Sequence, residues 1–178
     1  MHKKIDEVKE FENKVFNDNR GSFVKDYVHN WFNDINFVLK EKFYTYSKSG
    51  VIRAIHFQNV KQQAKLIRCV SGKIFDVVVD LRPNSKNFGD YQSFMLDGLN
   101  SPTIYVPQGF GHGYLVIEDA IVSYGCNEVF YPEYDDAILY NDIDLNIKWP
   151  TNLVEKVILS VKDINAQTFK TFKSKLRG

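Results

Sequence analysis

With 178 residues, 44% of them hydrophobic, the chain has the length and apolar content to bury a core of its own, and a single domain over residues 1–178 is expected. A net charge of +1, with basic residues scattered rather than grouped among aromatics, excludes the electrostatic footprint of a nucleic-acid or membrane-surface binder. No apolar run is long enough to span a membrane, and the N-terminus MHKKIDEVKEFENKVF lacks the apolar centre of a signal peptide, which places the protein in the cytoplasm.

The first element expected along the chain is a short helix within 26–39, DYVHNWFNDINFVL, where Val28, Trp31, Phe32 and Ile35 recur at helical spacing. From about residue 43 to 130 the pattern is one of strands. KLIRCVSG is followed by KIFDVVVDLR, in which Phe75, Val77, Val79 and Leu81 alternate with Asp76, Val78 and Asp80. YQSFML, TIYVP, GYLVIED and AIVSYGC follow. Ser71-Gly72, Pro83-Asn84-Ser85 and Glu118-Asp119 supply turn chemistry between them. Many short, evenly spaced strands imply a β-sandwich or barrel. The tail KDINAQTFKTFKSKL, 162–176, reads as a closing amphipathic helix, with Leu159, Ile164, Phe169 and Phe172 as apolar contacts. Cys69 and Cys126 fit no metal-binding spacing and are expected to be reduced and buried in strands.

Chemistry concentrates in two fragments. One is G-x5-H-x-Q followed by K-x6-G, from Gly50, His56, Gln58, Lys65 and Gly72; the other is P-x-G-x-x-H, from Pro107, Gly109 and His112. A single strand histidine or lysine carries no functional meaning, but two such motifs in this order do. In outline they resemble the paired motifs of the cupin jelly roll, a double-stranded β-helix. A metal-binding cupin would carry His and Glu where this chain has Gln58 and Lys65. A protonated lysine in the ligand set repels a cation, so no metal is expected. Lys65 instead supplies a fixed positive charge, suited to an enolate oxygen, beside histidines able to take a proton alpha to a carbonyl.

The chain resembles the dTDP-4-dehydrorhamnose 3,5-epimerase family of nucleotide-sugar epimerases. The matching stretches are DNRGSF (18–23), GVIRAIHFQ (50–58), KLIRCVSGKIFDVVVDLRPNS (65–85), YVPQGFGHGYLV (105–116), Tyr124, YNDIDLNIKWP (140–150) and LSVKD (159–163), together nearly the whole chain. The resemblance implies a mainly β cupin jelly roll with short N-terminal and C-terminal helices, forming a homodimer without metal or cofactor. It also implies a nucleoside-diphosphate 4-keto sugar as substrate, within surface-polysaccharide synthesis. By position, His56 matches the catalytic base, Asp163 its carboxylate partner, Tyr124 the tyrosine across the sugar ring, and Lys65 the lysine at the C4 oxygen. His112 and Asp76 match a second His–Asp pair in the pocket. Arg20 and Arg53 match arginines for the diphosphate or sugar, and Gln58, His112 and Asp76 are expected to bind substrate with them. Inverting a carbon requires removing a proton from one face and returning one to the other, which fits a base and an acid in opposition. Strict alternation, however, puts Arg53 and His56 on opposite faces of their strand, so either a bulge separates them or Arg53 acts at a dimer seam.

Three departures bear on specificity. Ala54 replaces a family glycine, adding a methyl group. Lys25 stands where the rhamnose-pathway enzymes carry a thymine-side glutamate. Phe43, Tyr44 and Thr45 replace a Q-D-N run. The reacting side is kept and the nucleotide side is changed, which points to a nucleotide other than dTDP, or to a bulkier sugar such as a heptose on GDP. Competing readings are a 3,4-ketoisomerase, a non-catalytic sugar-nucleotide-binding cupin and, least favoured by Gln58 and Lys65, a metal-dependent oxygenase.

Overall fold

The computed structural model describes residues 4–176. Its strands, in chain order, are β1 (Lys9–Phe11), β2 (Lys14–Asp18), β3 (Gly21–Lys25), β4 (Glu41–Ser47), β5 (Ile52–Gln58), β6 (Lys65–Asp80), β7 (Tyr91–Asp97), β8 (Thr103–Val106), β9 (Phe110–Cys126) and β10 (Asp135–Ala137). Two short helices close the chain, α1 (Val161–Ile164) and α2 (Phe169–Lys175).

The long strands β6 and β9 pair antiparallel along their length, and each changes its other neighbour part-way. β6 pairs with β8 at its start and with β7 at its end. β9 pairs with β5 at its start and with β4 at its end. The sheet therefore divides into two halves, one holding β1, β8, β4 and the ends of the long strands nearest them, the other β7, β5, β10 and the remaining ends. The halves fold over each other as a jelly roll. Ile67, Cys69, Val122 and Cys126 from one half meet Ile74, Val78 and Val116 from the other in the interior. Both cysteines are free and buried.

Two expected turns are absent. Ser71-Gly72 and Glu118-Asp119 lie inside β6 and β9, and the β6–β9 register shifts around residues 69–74. The bulge bends the pair from one half to the other and absorbs the turn-forming residues without breaking the strand. It also switches parity. Lys65, Ile67 and Cys69 belong to the inward set before it; Ile74, Asp76 and Val78 belong to it afterwards. Phe75, Val77 and Val79 thus face outward, under the C-terminal segment with Phe169 and Phe172. Gly72 makes the bend possible. It has a φ of +79°, and a Cβ there would lie 2.0 Å from the Asp119 carbonyl oxygen and 2.7 Å from the Ala120 Cα. Both obstacles are backbone of the paired strand. Gly72→Ala is expected to cost roughly 3 kcal/mol or more through backbone strain and overpacking. The measurement is the urea midpoint at constant m-value; a cost under about 1 kcal/mol would contradict this account.

The terminal segments differ from simple helices. The expected helix within 26–39 is a 3-10 helix, His29–Ile35, that seats Phe32 on the outer face of the first half with Phe37 and Leu66. The closing helix is split into α1 and α2. In between, Gln167 joins an isolated parallel bridge to Ile138, and Thr168 caps α2 by accepting a hydrogen bond from the Thr171 amide. Among the described residues, no helix is long and apolar enough to cross a membrane.

Candidate active site

A cavity of about 350 Å³ opens between the sheet halves, in the size range of small-molecule sites. β5 delivers Arg53, His56 and Gln58 to its wall; β6 delivers Lys65 at its first residue; β9 delivers His112 and Tyr124.

Arg53 and His56 share the cavity because a bulge lies between them. Arg53 pairs with Tyr114 and His56 with His112, so three steps on β5 match two on β9. The intervening Ala54 and Ile55 both point into the outer core and are fully buried. The methyl group of Ala54 is therefore turned away from the cavity, against Gly113, where a Cβ would meet the Ala54 Cβ at 2.5 Å.

His56 Nε2 lies 2.6 Å from Asp163 Oδ1. A carboxylate on that nitrogen fixes the N–H there and leaves the Nδ1 lone pair for proton transfer. Burial opposes ionisation of Asp163, but the hydrogen bonds from His56 and Ser160 outweigh it and hold the carboxyl below its ordinary range. The Ser160 hydroxyl donates to Asp163 Oδ2 at 2.5 Å and accepts from the Asp163 amide, capping α1. Asp163 reaches the site because residue 158 pairs beside residue 51 and brings the tail along β5.

His112 Nε2 lies 2.6 Å from Asp76 Oδ2. His112 lines the cavity and Asp76 does not. The parity switch in β6 turns Asp76 inward and fully buries it behind His112, so it orients the histidine instead of touching a ligand. Gln58 lines the wall, but its amide donates to the carbonyls of Lys61 and Val129 and accepts from the Tyr131 amide. That commits it to holding two loops rather than a ligand.

Lys65 is 9% exposed, and among the described residues no carboxylate pairs with it. Burial pushes its pKa below the ordinary lysine value, partly offset by the charges of nearby acidic groups such as Asp135. Buried, and with no carboxylate at ion-pair distance among the described residues, the ammonium is poised to stabilise negative charge on a ligand. Arg53 donates Nε to Ser47 Oγ at 3.1 Å, and no other side-chain hydrogen bond engages its guanidinium among the described residues. Tyr124 is 8% exposed, with Phe43 stacked on it at a centroid distance of 4.6 Å.

Arg20 is not brought to this cavity. It sits on the β2–β3 hairpin, 86% exposed and paired with Asp18. Of the positions assigned to the nucleotide side, Phe43 and Thr45 line the cavity, Tyr44 faces outward at 72% exposure, and Lys25 ends β3 outside the lining. Sequence reasoning missed Phe130, Asp135, Ser160 and Lys162 on the wall. Ser160 left a signal in the S-x-x-D cap ahead of the tail, and Lys162 lies beside it in the matched LSVKD stretch.

Residues 2–171 match the family model for dTDP-4-dehydrorhamnose 3,5-epimerase. The chain belongs to that family. The dTDP-4-dehydrorhamnose 3,5-epimerase of Methanothermobacter thermautotrophicus is 40% identical over 159 residues, covering 86% of this chain and 85% of that protein. The Escherichia coli enzyme of the same name is 37% identical, covering 89% of this chain and 88% of its own. The crystal structure of dTDP-6-deoxy-D-glucose-3,5-epimerase from Legionella pneumophila, in complex with dTDP-4-keto-L-rhamnose, superposes with a TM-score of 0.92 at 33% identity, over 99% of this chain and 95% of that one. A 3'-monoepimerase from Streptomyces bikiniensis in complex with dTDP-quinovose superposes with a TM-score of 0.89 at 29% identity, over 98% and 90% of the two chains. Membership in the family makes this chain a nucleotide-sugar epimerase, an isomerase.

Proposed function

We propose that this protein inverts C3, C5 or both in a dTDP-linked 4-keto-6-deoxyhexose by proton removal and return, without a cofactor, in surface-polysaccharide synthesis. The observation that carries the reading is the meeting of three groups on one cavity: a carboxylate-oriented histidine, a buried lysine with no carboxylate at ion-pair distance among the described residues, and a tyrosine hydroxyl. His56 takes the proton alpha to the ketone, and the electron pair of that C–H bond moves to the C4 oxygen, where Lys65 stabilises the enolate. Tyr124 gives a proton to the opposite face of the same carbon, and the ketone re-forms. His56 then releases its proton and Tyr124 regains one from solvent. Arg53 holds the diphosphate, and His112, oriented by Asp76, hydrogen-bonds the sugar.

The working unit in this reading is a homodimer of single-domain chains. The β2–β3 hairpin exposes Phe16 at 54% and Phe23 at 60%, an apolar pair suited to burial against a second copy. Arg20 lies between them in sequence, so docking the hairpin on a partner would bring its guanidinium to the partner's diphosphate site. A second reading, a GDP-linked or heptose substrate, draws support from the Phe43 ring on the cavity wall.

Tyr124→Phe tests the two-face chemistry. It removes one hydroxyl and keeps the ring against Phe43. In D2O, exchange at His56's face should continue while net inversion falls steeply. An equal fall in both would make Tyr124 a group for proton removal or substrate placement. No change in either would make it a core tyrosine. Turnover of dTDP-linked against GDP-linked substrate separates the two nucleotide readings.

A further inference from the structure

Tyr124 is held by two rings, and one of them has no role in the scheme above. Phe43 on β4 sits directly across from Tyr124 on β9 in the strand register. Alternation along β4 turns Phe43 and Thr45 to the cavity and leaves Tyr44 and Tyr46 outward. The Phe43 and Tyr124 rings stack, with centroids 4.6 Å apart and planes 11° from parallel. His112 meets the same tyrosine ring in a T-shaped contact, at 5.9 Å and 80°.

The proton of a phenol lies near the plane of its ring, so the ring plane decides where Tyr124 can aim it. The side chain does not set that plane by itself, because the torsion about the Cβ–Cγ bond of a tyrosine is broad. Neighbours must set it. The stacked Phe43 ring holds one face of Tyr124, and the T-shaped contact with His112 opposes rotation about the bond. Burial pushes the Tyr124 phenol well above its ordinary value, so it keeps its proton until the substrate takes it. With the proton in place, what governs its delivery is aim. An aliphatic side chain at position 43 would fill the space and leave the ring free to turn.

We propose that Phe43 is the positioning residue for the second-face proton: its stack on Tyr124 fixes the plane of the phenol and so aims the hydroxyl at the substrate carbon. The bonds that change are those of the scheme above. The Tyr124 O–H bond breaks, the enolate's electron pair forms the new C–H bond on the face opposite His56, and the ketone re-forms. Proton removal by His56 is not served by the stack. The inference rests on the reading of Tyr124 as the second-face acid.

The test is the ratio of net inversion to deuterium exchange in D2O, measured together with KM, for Phe43→Leu, Phe43→Tyr and Tyr124→Phe acting on a dTDP-linked 4-keto-6-deoxyhexose. Only folded molecules contribute to either rate, so lost stability leaves the ratio unmoved, and a site that is 40% exposed tolerates the smaller side chain. Phe43→Leu should lower the ratio about 10-fold, the rate equivalent of losing one aromatic pair. KM should hold, and Phe43→Tyr, which keeps the ring, should keep the ratio. In proton NMR the Tyr124 ring resonances, assigned by their loss in Tyr124→Phe, should move downfield in Phe43→Leu as the shielding of the stacked ring is removed. An unchanged ratio with a raised KM would make Phe43 a surface for the ligand and overturn the inference. Parallel loss of exchange and inversion, a Phe43→Tyr variant as impaired as Phe43→Leu, or unmoved Tyr124 resonances would overturn it too. If Tyr124→Phe itself leaves inversion intact, the underlying reading fails; if only Tyr124→Phe lowers the ratio, the role of Phe43 alone fails.

Discussion

His56→Ala is expected to fold and to lose turnover by about 10²–10⁴-fold, the usual cost of removing a general base. Deuterium exchange should fall with it, at every carbon the enzyme exchanges. The reason is geometric. His56 has a carboxylate 2.6 Å from one ring nitrogen and the cavity beside the ring. The other histidine of the cavity, His112, is 3% exposed and pinned by a fully buried aspartate. Exchange that stays within about tenfold of the wild-type rate, against the loss general-base removal brings, would remove His56 from the mechanism. The substitution should spare the core, because the His56 side chain is 29% exposed at the cavity and not buried among the apolar residues.

Lys65→Met carries the second large effect, and it should move activity and stability in opposite directions. Aiming a fixed donor at a developing oxyanion is worth about 2.7–4 kcal/mol, so kcat should fall roughly 10²–10³-fold with KM little changed. A buried ammonium without a counter-ion is costly, and an unbranched apolar side chain of similar volume relieves that cost. The variant should therefore melt at the wild-type temperature or above it. An unchanged kcat would place Lys65 outside the reacting centre. A fall in kcat accompanied by a lower melting temperature would mean that the ammonium has a structural partner in solution.

Several parts of this site were legible in the residues because they depend on local spacing. Alternation put Tyr124 in phase with Val122 and Cys126, and Lys65 in phase with Ile67 and Cys69; all six face inward together. What alternation cannot register is an extra residue. The bulge between Arg53 and His56 and the one near Gly72 each reverse the inward set without any change in composition. For that reason Ser71-Gly72 read as a turn; Asp76, which the family resemblance placed with the substrate-binding residues, lies fully buried behind His112. Gln58 shows a different limit. Its motif position is at the cavity wall, but its hydrogen bonds go to carbonyls and an amide in loops whose conformation no periodicity encodes. Asp163 is 107 positions from His56, and only the family pattern paired them. Arg20 sits on an exposed hairpin, paired with Asp18, and no periodicity along the chain reveals that this hairpin stands away from the cavity.

In the proposed reaction a carbon beside the ketone loses its proton to the protein and regains one from the opposite face. The most direct measurement is proton NMR of a dTDP-linked 4-keto-6-deoxyhexose incubated with the wild-type protein in D2O containing a metal chelator. The predicted result is deuterium at C3, C5 or both, with inverted configuration at a deuterated carbon and full activity despite the chelator. Product that retains its original protons, or activity abolished by the chelator and restored by added metal, would contradict it.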